Sequence, residues 1–191
     1  MTNKTIAIFI AGDLHIPSRA SMFHPKFDEI LRSKKWDYIV LTGDLTQPNV
    51  LHYFKEHVIK PENLIVCRGN MDLIPLPVYP TFDVSGIRFG VFHGTGIHPR
   101  GDIKQLKEVA KEKNVRILFT GHSHLILFHI DNEHILLNPG TSTGASGGSS
   151  WTVNTGVMIL SIYNRNEIEI TYHYINNFGR LKTRSQLIII K

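Results

Sequence analysis

Five short apolar runs rich in Ile, Val and Phe are each followed, at once or after one residue, by a glycine beside Asp, Asn or His. Runs of this length and composition predict buried β-strands, and the glycine predicts the tight turn that ends each of them. Each polar residue therefore belongs to the loop at the carboxyl end of a strand. These motifs are Gly12-Asp13-Leu14-His15, Gly43-Asp44, Gly69-Asn70-Met71-Asp72, His93-Gly94 and Gly121-His122-Ser123-His124.

The first half of the chain alternates predicted strands with predicted helices. Apolar runs predict strands at Ile6–Ala11, Tyr38–Leu41 and Leu64–Cys67. Apolar residues at helical spacing predict helices at Pro25–Lys34 and Val50–Val58. Such an alternation implies parallel strands that are joined by crossover helices.

The second half is richer in antiparallel pairs of strands. Turn residues between apolar runs predict three hairpins, which are Val78–Val84 with Ile87–Phe92, Leu125–Ile130 with His134–Leu137, and Val157–Ile162 with Ile168–Tyr174. The remaining predicted elements are a helix capped by Asp102 and strands at Ile117–Phe119 and Leu187–Ile190. Two mixed sheets packed face to face, with helices outside, satisfy both halves, so the predicted fold class is α/β or α+β.

Length and composition limit the kind of protein. The 191 residues suit one domain, which we predict to span residues 1–191. The net charge of +5 comes from cations scattered along the chain, so a nucleic-acid partner is not indicated. The single cysteine, Cys67, lies in an apolar run and leaves no disulfide framework within the chain. We find no signal peptide and no apolar run of transmembrane length, and we expect a cytoplasmic protein.

The polar residues of the five motifs are expected to meet, because the loops after the carboxyl ends of the strands form the ligand crevice of an α/β sheet. Asp and His suit Mn²⁺, Fe²⁺, Zn²⁺ or Ni²⁺, and Asn adds a neutral oxygen. The absence of Cys from the set argues against a structural zinc centre. We predict two divalent cations bridged by Asp44, with Asp13, His15 and His124 as the other ligands of one and Asn70, His93 and His122 as those of the other.

Taken one at a time, these residues have ordinary structural explanations. Asp13, Asp44 and Asn70 suit helix caps or Asx turns, and a lone His93 suits a hydrogen-bonded core histidine. The position that all of them share, after a strand, favours the metal hypothesis for the set. Two cations roughly 3.5–4 Å apart can hold a shared hydroxide and polarise a phosphoryl oxygen. The set therefore predicts phosphoester hydrolysis, with Asp44, Asn70 and His122 as catalytic residues.

The ordered set Gly-Asp-x-His, Gly-Asp, Gly-Asn, His-Gly and Gly-His-x-His resembles the calcineurin-like metallophosphoesterases, and the resemblance extends from Ile6 to about Tyr174. It implies a four-layer αββα sandwich, two bound metal ions, often Mn²⁺, a small phosphoester substrate and the same seven ligands. The length is similar to that of the small single-domain phosphodiesterases of this family. The segments Gly12–Pro17 and Asn138–Ala145 also resemble the phosphoesterase-fold small subunit of the retromer sorting coat.

Two positions depart from the family pattern. Many members carry His directly after the Gly-Asn pair, where Met71 stands here. Methionine cannot donate a proton, so the leaving group would depend on His98, Arg68 or water, and we expect activity that is slow or limited to good leaving groups. Thr95 stands where the small members commonly carry a second His. Arg68 and Arg100 are further candidates for contact with phosphate.

Three hypotheses about function remain open from the sequence. The first is a metal-dependent phosphodiesterase, which the complete ligand set favours. The second is an interaction scaffold like the retromer subunit, which would bind a helical-solenoid partner. An apolar strand face suits this scaffold if the face lies at a sheet edge, and its residues are Ile168, Ile170, Tyr172 and Tyr174. The third is a structural metal site without chemistry, which ranks last because structural sites rarely use seven ligands.

Overall fold

The structure of this chain is a computed structural model that describes residues 5–147 and 153–190. The helices in this part of the chain are α1 (Pro25–Arg32), α2 (Pro48–Lys55) and α3 (Ile103–Glu112). The strands are β1 (Ile6–Ala11), β2 (Tyr38–Leu41), β3 (Leu64–Val66), β4 (Thr81–Val84), β5 (Ile87–Phe92), β6 (Ile117–Thr120), β7 (Ile126–Ile130), β8 (Ile135–Pro139), β9 (Thr155–Asn164), β10 (Glu167–Ile175) and β11 (Leu181–Ile189). A helix of bilayer-spanning length and apolarity is not found among the described residues.

The strands form two mixed sheets. The first has the order β11-β10-β9-β1-β2-β3, in which β1, β2 and β3 are parallel and β9, β10 and β11 pair antiparallel. The second has the order β4-β5-β6-β8-β7, in which β5, β6 and β8 are parallel. The predicted strand–helix units thus form the parallel part of the first sheet, and the three predicted hairpins are present as β4–β5, β7–β8 and β9–β10.

The two sheets pack face to face, and helices cover both outer faces. Ile8 of β1 lies in the core between the sheets together with Phe119 of β6. Phe9, the next residue, points to the other face of β1 and packs against Phe27 of α1 and Phe54 of α2. A third buried cluster joins α3 to the second sheet. The order of layers confirms the predicted αββα sandwich, and burial on both faces explains why β1 is an uninterrupted apolar run.

Local sequence determines where the helices begin. Pro25 opens α1, where its missing N–H would have no partner inside the helix. The preceding His24 caps this helix, because its Nδ1 accepts the N–H of Lys26 at 3.3 Å. Asp102 caps α3 as predicted and accepts the N–H of Gln105 at 2.9 Å.

The last strand is longer than its sequence predicts. The apolar pattern predicts a strand only at Leu187–Ile190, whereas β11 extends over Leu181–Ile189 and pairs with β10 along its whole length. It is the edge strand of the first sheet, and residues 182–187 are exposed. Residues 182–187 have no buried face, so nothing requires apolar and polar residues to alternate there, and the periodicity on which the prediction depends is missing.

Most of the apolar face of β10 is part of the core. Ile168, Ile170 and Tyr172 are buried between the two sheets, and Tyr174 packs against the same cluster. The edge position of the sheet belongs to β11, so β10 lies inside the sheet. The condition for a docking patch on this face, an edge position, is therefore not met, although Ile170, Tyr172 and Tyr174 line an open pocket beside β11.

Candidate metal centre

All seven predicted ligands lie in loops at one end of the sandwich, beyond the carboxyl ends of the strands. The parallel strands of both sheets point toward this end, so loops that are far apart in the sequence meet here. The loops are residues 12–15 after β1, 43–44 after β2, 69–72 after β3, 93–94 after β5 and 121–124 after β6.

Four of the predicted ligands form a compact buried group. The candidate ligand atoms of Asp13, His15, Asp44 and His124 all lie within 4.8 Å of one another. Nε2 of His15 lies 3.1 Å from Nε2 of His124 and 3.4 Å from Oδ2 of Asp44. None of the four residues is more than 2% exposed. Two carboxylates and two imidazoles therefore face one another in a space that bulk water does not reach.

The other three predicted ligands lie beside Asp44 as well. Nε2 of His93 is 3.4 Å from Oδ2 of Asp44 and 3.2 Å from Oδ1 of Asn70. The ring of His122 is edge-on to that of His93, with the centroids 5.0 Å apart. The backbone N–H of His122 donates to Oδ1 of Asp13 at 3.0 Å, which ties the two groups together. The structure thus brings all seven residues into one site, and Asp44 lies between the two groups.

Backbone carbonyls fix the orientation of two of the imidazoles. Nδ1 of His93 lies 2.7 Å from the carbonyl oxygen of Thr42, and Nδ1 of His124 lies 2.8 Å from that of Ala145. A carbonyl oxygen only accepts hydrogen bonds, so Nδ1 carries a proton in both rings. In the neutral ring the lone pair is then on Nε2, which faces the other candidate ligands. Metal-binding histidines are oriented in this way.

The backbone is strained at the candidate ligands themselves. Eight non-glycine residues in the described part of the chain have a positive φ, and five of these are predicted ligands. The five are Asp13, His15, Asp44, His122 and His124, with φ between 47° and 66°. The left-handed conformation costs about 1 kcal/mol or more for each such residue. Strain that is concentrated on chemically active side chains indicates a functional site.

Glycine is required where the loops after β2 and β3 touch. A Cβ atom on Gly69 would lie 2.1 Å from Oδ1 and 2.3 Å from the backbone nitrogen of Asp44. Non-bonded atoms do not approach so closely, so only glycine lets the loop that carries Asn70 lie against Asp44. The glycines that the sequence places beside Asp and Asn therefore bring the carboxylate and the amide together.

Asp72, to which we assigned no role from the sequence, fastens the same two loops. Its Oδ2 accepts the N–H groups of Asp44 at 2.9 Å and Gly69 at 2.8 Å, and its Oδ1 accepts the N–H of Thr46 at 2.8 Å. The carboxylate is buried. These three bonds hold Asp44 in its left-handed conformation. The sequence contains one hint of this role, which is that an acidic residue stands two positions after Asn70. The groups that it binds could be identified only from the way the loops lie in the structure.

The motif Asn138-Pro139-Gly140 supplies no predicted ligand but supports the loop that carries two of them. Nδ2 of Asn138 donates to the carbonyl oxygen of Gly121 at 3.0 Å and to Oγ of Ser123 at 3.1 Å. Asn138 is fully buried. It therefore positions His122 and His124 through their neighbours and does not contact the centre itself.

Two hydroxyl groups after this motif hold the first loop. Oγ1 of Thr141 donates to the carbonyl oxygen of Asp13 at 2.8 Å, and Oγ of Ser142 accepts the N–H of Gly12 at 3.0 Å. Both residues are fully buried. They belong to the segment Asn138–Ala145 that resembles the retromer small subunit, but only the structure shows which groups they bind.

Burial keeps two of the imidazoles neutral. Loss of solvation lowers the pKa of His15 to about 4 and that of His122 to about 4. Burial also raises the pKa of the Asp13 carboxyl above its ordinary value, although the charges of His93 and His124 oppose this. At neutral pH both imidazoles therefore offer a nitrogen lone pair without first losing a proton.

His93 and Asp44 form a coupled pair with opposite shifts. Burial alone would lower the pKa of His93, but the hydrogen bond to Asp44 and the charges of Asp13 and Asp44 raise it to about 9. Burial alone would raise the pKa of Asp44, but the hydrogen bond and charge of His93 and the N–H of Met71 lower it. In the metal-free protein at neutral pH, these two side chains are therefore an ion pair.

Two arginines stand near the centre. Burial is the larger cause of the lowered pKa of His15 and His122, and the positive charges of Arg19 and Arg100, respectively, contribute to it. Both side chains donate to backbone carbonyls of the same loop, at residue 146 for Arg19 (2.9 Å) and residue 147 for Arg100 (3.0 Å). Arg100 was a phosphate-contact candidate from the sequence, whereas Arg19 was not. Their charges favour an anionic ligand.

The donor set fits divalent cations. Oδ2 of Asp13 and Nδ1 of His15 are buried without a hydrogen-bond partner among the described residues, although buried polar atoms are nearly always partnered. Nε2 of His93 and Nε2 of His124 carry lone pairs directed at their neighbours when these rings are neutral. Carboxylate and amide oxygens with imidazole nitrogens suit Mn²⁺, Fe²⁺, Zn²⁺ or Ni²⁺, and two groups around one shared carboxylate suit a pair of them.

Comparison with known sequences identifies relatives. The calcineurin-like phosphoesterase superfamily domain matches residues 6–164. A "probable metallophosphoesterase" of Methanocaldococcus jannaschii is 33% identical over 141 residues, which are 73% of this chain and 69% of that protein.

Comparison with solved structures gives the same fold over almost the whole chain. Vacuolar Protein Sorting 29 (Vps29) of Cryptosporidium parvum matches with a TM-score of 0.88 and 22% identity, covering 97% of this chain and 98% of that one. Wild-type Vps29 of Entamoeba histolytica complexed with Zn²⁺ matches with a TM-score of 0.85 and 23% identity, covering 95% and 99%. At these identities the similarity establishes the fold alone.

Proposed function

Because this chain belongs to the calcineurin-like phosphoesterase superfamily, we propose that it is a metal-dependent phosphodiesterase and that the candidate metal centre is its active site. The observation that supports this most directly is the convergence of the seven predicted ligands from five loops around Asp44. A small phosphodiester is the proposed substrate.

The centre would hold two divalent cations, for which Mn²⁺ is our first choice and Zn²⁺, Fe²⁺ or Ni²⁺ are the others. Bound cations of this kind lower the pKa of water and polarise a phosphoryl oxygen. The Vps29 of E. histolytica, which shares this fold, was solved in complex with Zn²⁺, and this supports the proposal that a protein of this fold can bind a divalent metal. The proposed ligands are Asp13, His15 and His124 for one cation and Asn70, His93 and His122 for the other, with Asp44 bridging.

The side chains around the centre are arranged before a substrate binds. The carbonyls of Thr42 and Ala145 fix the rings of two histidines, and Asp72 fixes the backbone of Asp44. Groups that are already in position need little rearrangement during the reaction, which is the main source of electrostatic stabilisation in enzymes. The positive charges of Arg19 and Arg100 attract an anionic ester to the site.

Hydrolysis of bis(p-nitrophenyl) phosphate tests this proposal, with p-nitrophenyl phosphate as the monoester for comparison. We expect Mn²⁺ to stimulate cleavage of the diester, a chelator to abolish it, and fresh Mn²⁺ to restore it. A protein that binds two equivalents of metal by elemental analysis and still cleaves neither ester would contradict the enzymatic proposal.

The alternative, an interaction scaffold on the same fold, was suggested by the motif match to the retromer small subunit and by Met71. The structural similarity to Vps29 establishes the fold alone, and Met71 affects only the protonation of a leaving group. The apolar face of β10, which we considered for a partner, is mostly buried between the sheets. The complete ligand set therefore favours catalysis.

Met71→His is expected to raise the turnover of diesters with poor leaving groups by about 10- to 100-fold, since a positioned general acid is worth at least this much. Met71 is partly exposed next to the centre, and its N–H donates to Oδ1 of Asp44 at 2.8 Å. The other sequence candidates for this role, His98 and Arg68, form no hydrogen bond or ion pair with a predicted ligand in the described part of the chain. Steady-state kinetics with a dialkyl phosphodiester, whose leaving alkoxide needs a proton, measures the effect, and bis(p-nitrophenyl) phosphate serves as the diester with a good leaving group.

The control for this substitution is Met71→Gln, which is polar and similar in length but has no proton to give. We expect it to behave like the natural protein. An equal gain in both variants would show that polarity, and not acid catalysis, is responsible.

Metal binding at His93 is expected to release a proton below about pH 9. The pKa of this imidazole in the metal-free protein is raised from 6.5 to about 9, and only a neutral imidazole binds a metal. The affinity of the site for the metal ion should therefore rise by about tenfold per pH unit near neutrality. It should become constant above about pH 9. The ion pair between protonated His93 and Asp44 also stabilises the metal-free protein. Its contribution to the free energy of unfolding is fully present below pH 6.5 and is lost as the pH rises through about 9.

Calorimetric titration with Mn²⁺ in buffers of different ionisation enthalpy measures the number of protons released. We expect close to one proton for the cation bound by His93 at about pH 7. Uptake of two cations with no proton release at this pH would show that His93 is neutral in the metal-free state.

A further inference from the structure

A pocket lies at the end of the sandwich opposite the candidate metal centre. It has a volume of about 410 Å³ and is formed where β5, β6 and β8 begin, beside the turn between β9 and β10. The arginines that line it are Arg88, Arg116 and Arg165. Because these strands begin at the pocket and end at the metal centre, the two sites are separated by the length of the sheet.

Arg116 presents a hydrogen-bond donor that the protein does not use. Its Nη1 is buried without a partner among the described residues, while its Nη2 donates to the carbonyl oxygen of Asp131 at 3.4 Å. The sheet fixes the backbone of Arg116. Its N–H donates to the carbonyl oxygen of Arg88, and its carbonyl oxygen accepts the N–H of Ile135, each at 2.9 Å. A buried guanidinium donor without an acceptor is costly. Arg116 also lines the pocket, so a small rotation of its side chain would let an anion there supply the acceptor.

The acidic side chains of Asp131 and Glu133 lie at this end of the sandwich, and Glu133 also lines the pocket. The carboxylate of Asp131 lies 2.7 Å from Nζ of Lys107 and accepts the N–H groups of Glu133 and His134, each at 2.8 Å. The carboxylate of Glu133 lies 4.0 Å from the same Nζ, and its side chain is 74% exposed. Neither of these carboxylates forms an ion pair with Arg116. Arg116 therefore forms no direct ion pair with a described carboxylate, and the charge of Asp131 acts on it only through space.

The remaining charges around the pocket also favour an anion. Arg88 pairs with Asp83 at 3.2 Å on the surface, whereas Arg165 has no ion pair with a described carboxylate and lies over Gly86, whose missing side chain leaves it room. The carboxyl end of α3 approaches the pocket at Asn114 and contributes roughly half a negative charge. The two unpaired guanidinium groups outweigh this partial charge.

We infer that this pocket binds a tetrahedral oxyanion, the phosphate group of a small molecule, between Arg116 and Arg165. A guanidinium group presents paired N–H donors that match two oxygens of a phosphate. The inference depends on residues that take no part in the candidate metal centre, so it stands or falls independently of the proposed function.

An NMR titration of the metal-free, nitrogen-15-labelled protein with sodium sulfate tests the site, with sodium chloride at equal ionic strength as the reference. Sulfate has the shape and charge of the proposed group and cannot be hydrolysed. We expect saturable shifts at the backbone amides of Gly86, Asn114 and Asn166. The double variant R116Q/R165Q should weaken binding by at least about tenfold, since it removes charge-assisted hydrogen bonds.

If the double variant does not fold, single variants still test the inference. Arg165→Gln changes an exposed side chain and should weaken binding about threefold. Arg184→Gln, which removes an exposed arginine of β11, should leave it unchanged. Glycerol 3-phosphate should bind at the same amides, and sodium acetate much more weakly.

Several results would overturn the inference. Shifts that chloride reproduces would show a general effect of ionic strength, and shifts confined to residues 12–15 and 121–124 would place the anion at the metal centre. Binding that survives both arginine variants would exclude this pocket. Acetate that binds as tightly as sulfate would exclude a tetrahedral oxyanion as the preferred ligand.

Discussion

Asp44→Asn is expected to lower the rate of the proposed phosphodiester hydrolysis by roughly 10³-fold or more, because the two proposed cations would supply several kcal/mol of transition-state stabilisation. Oδ2 of Asp44 lies 3.4 Å from Nε2 of His15 and 3.4 Å from Nε2 of His93, so this carboxylate contacts both groups of predicted ligands. Asparagine has the same shape but no negative charge, and its NH₂ group cannot bind a cation. Turnover of bis(p-nitrophenyl) phosphate and the metal content of the purified variant measure the two consequences.

The control is Asp102→Asn, which makes the same chemical change at the start of α3. Asn caps a helix about as well as Asp, so stability, metal content and activity should all stay close to those of the natural protein. If the Asp44 variant kept two metal ions and near-natural turnover, the assignment of a bridging carboxylate would be wrong. A variant that retains its fold but loses one metal ion would support it.

Asp72→Asn is expected to destabilise the protein by about 3 kcal/mol, although this residue is not a predicted ligand. Its carboxylate accepts the N–H groups of Asp44, Gly69 and Thr46 at 2.8–2.9 Å in a buried place. Hydrogen bonds to charged groups contribute about 1.5–3 kcal/mol each, and asparagine would turn an NH₂ group toward at least one of these donors. Urea denaturation of the metal-free protein measures the loss.

The same substitution should also weaken metal binding by about 10- to 100-fold, which is the usual effect of removing a group that orients a ligand. Asp44 would no longer be held in its left-handed conformation, so its carboxylate would spend time away from the centre. The matched control is Asp83→Asn, which removes only an exposed ion pair with Arg88 and should cost less than about 1 kcal/mol. Equal midpoints of urea denaturation for the Asp72 variant and the natural protein would show that the loops do not depend on the hydrogen bonds of Asp72.

Sequence patterns predicted the strands that are buried on both faces. They missed most of β11, which is largely exposed. The runs at Ile6–Ala11 and Tyr38–Leu41 were predicted to the residue, because a strand between two apolar layers must itself be apolar. β11 was predicted over only its last residues, because an edge strand is specified by hydrogen bonds to its neighbour and leaves little trace in the side chains. The face of β10 shows the same limit, since alternation gives the apolar side of a strand but not what covers it.

Within the site, the sequence pointed to the proposed metal ligands and not to the residues that hold them in place. The predicted ligands stand beside glycines after apolar runs, and this is a local signal. Asp72, Thr141 and Ser142 act through hydrogen bonds to the backbone of other loops. Residues of these types occur in most loops, so their role cannot be recognised until the loops lie against one another.

The sequence by itself determined the family, the strand–helix order and the set of seven side chains at the carboxyl ends of strands, because these features are written in composition and local spacing. Only the tertiary structure decided that Asp44 lies between two groups of ligands, which acids and hydroxyls fasten the loops, and that Arg116 and Arg165 line a pocket at the other end. The physical reason is that distances between loops depend on how two sheets twist and pack. Both are properties of the whole core and are encoded in no single segment.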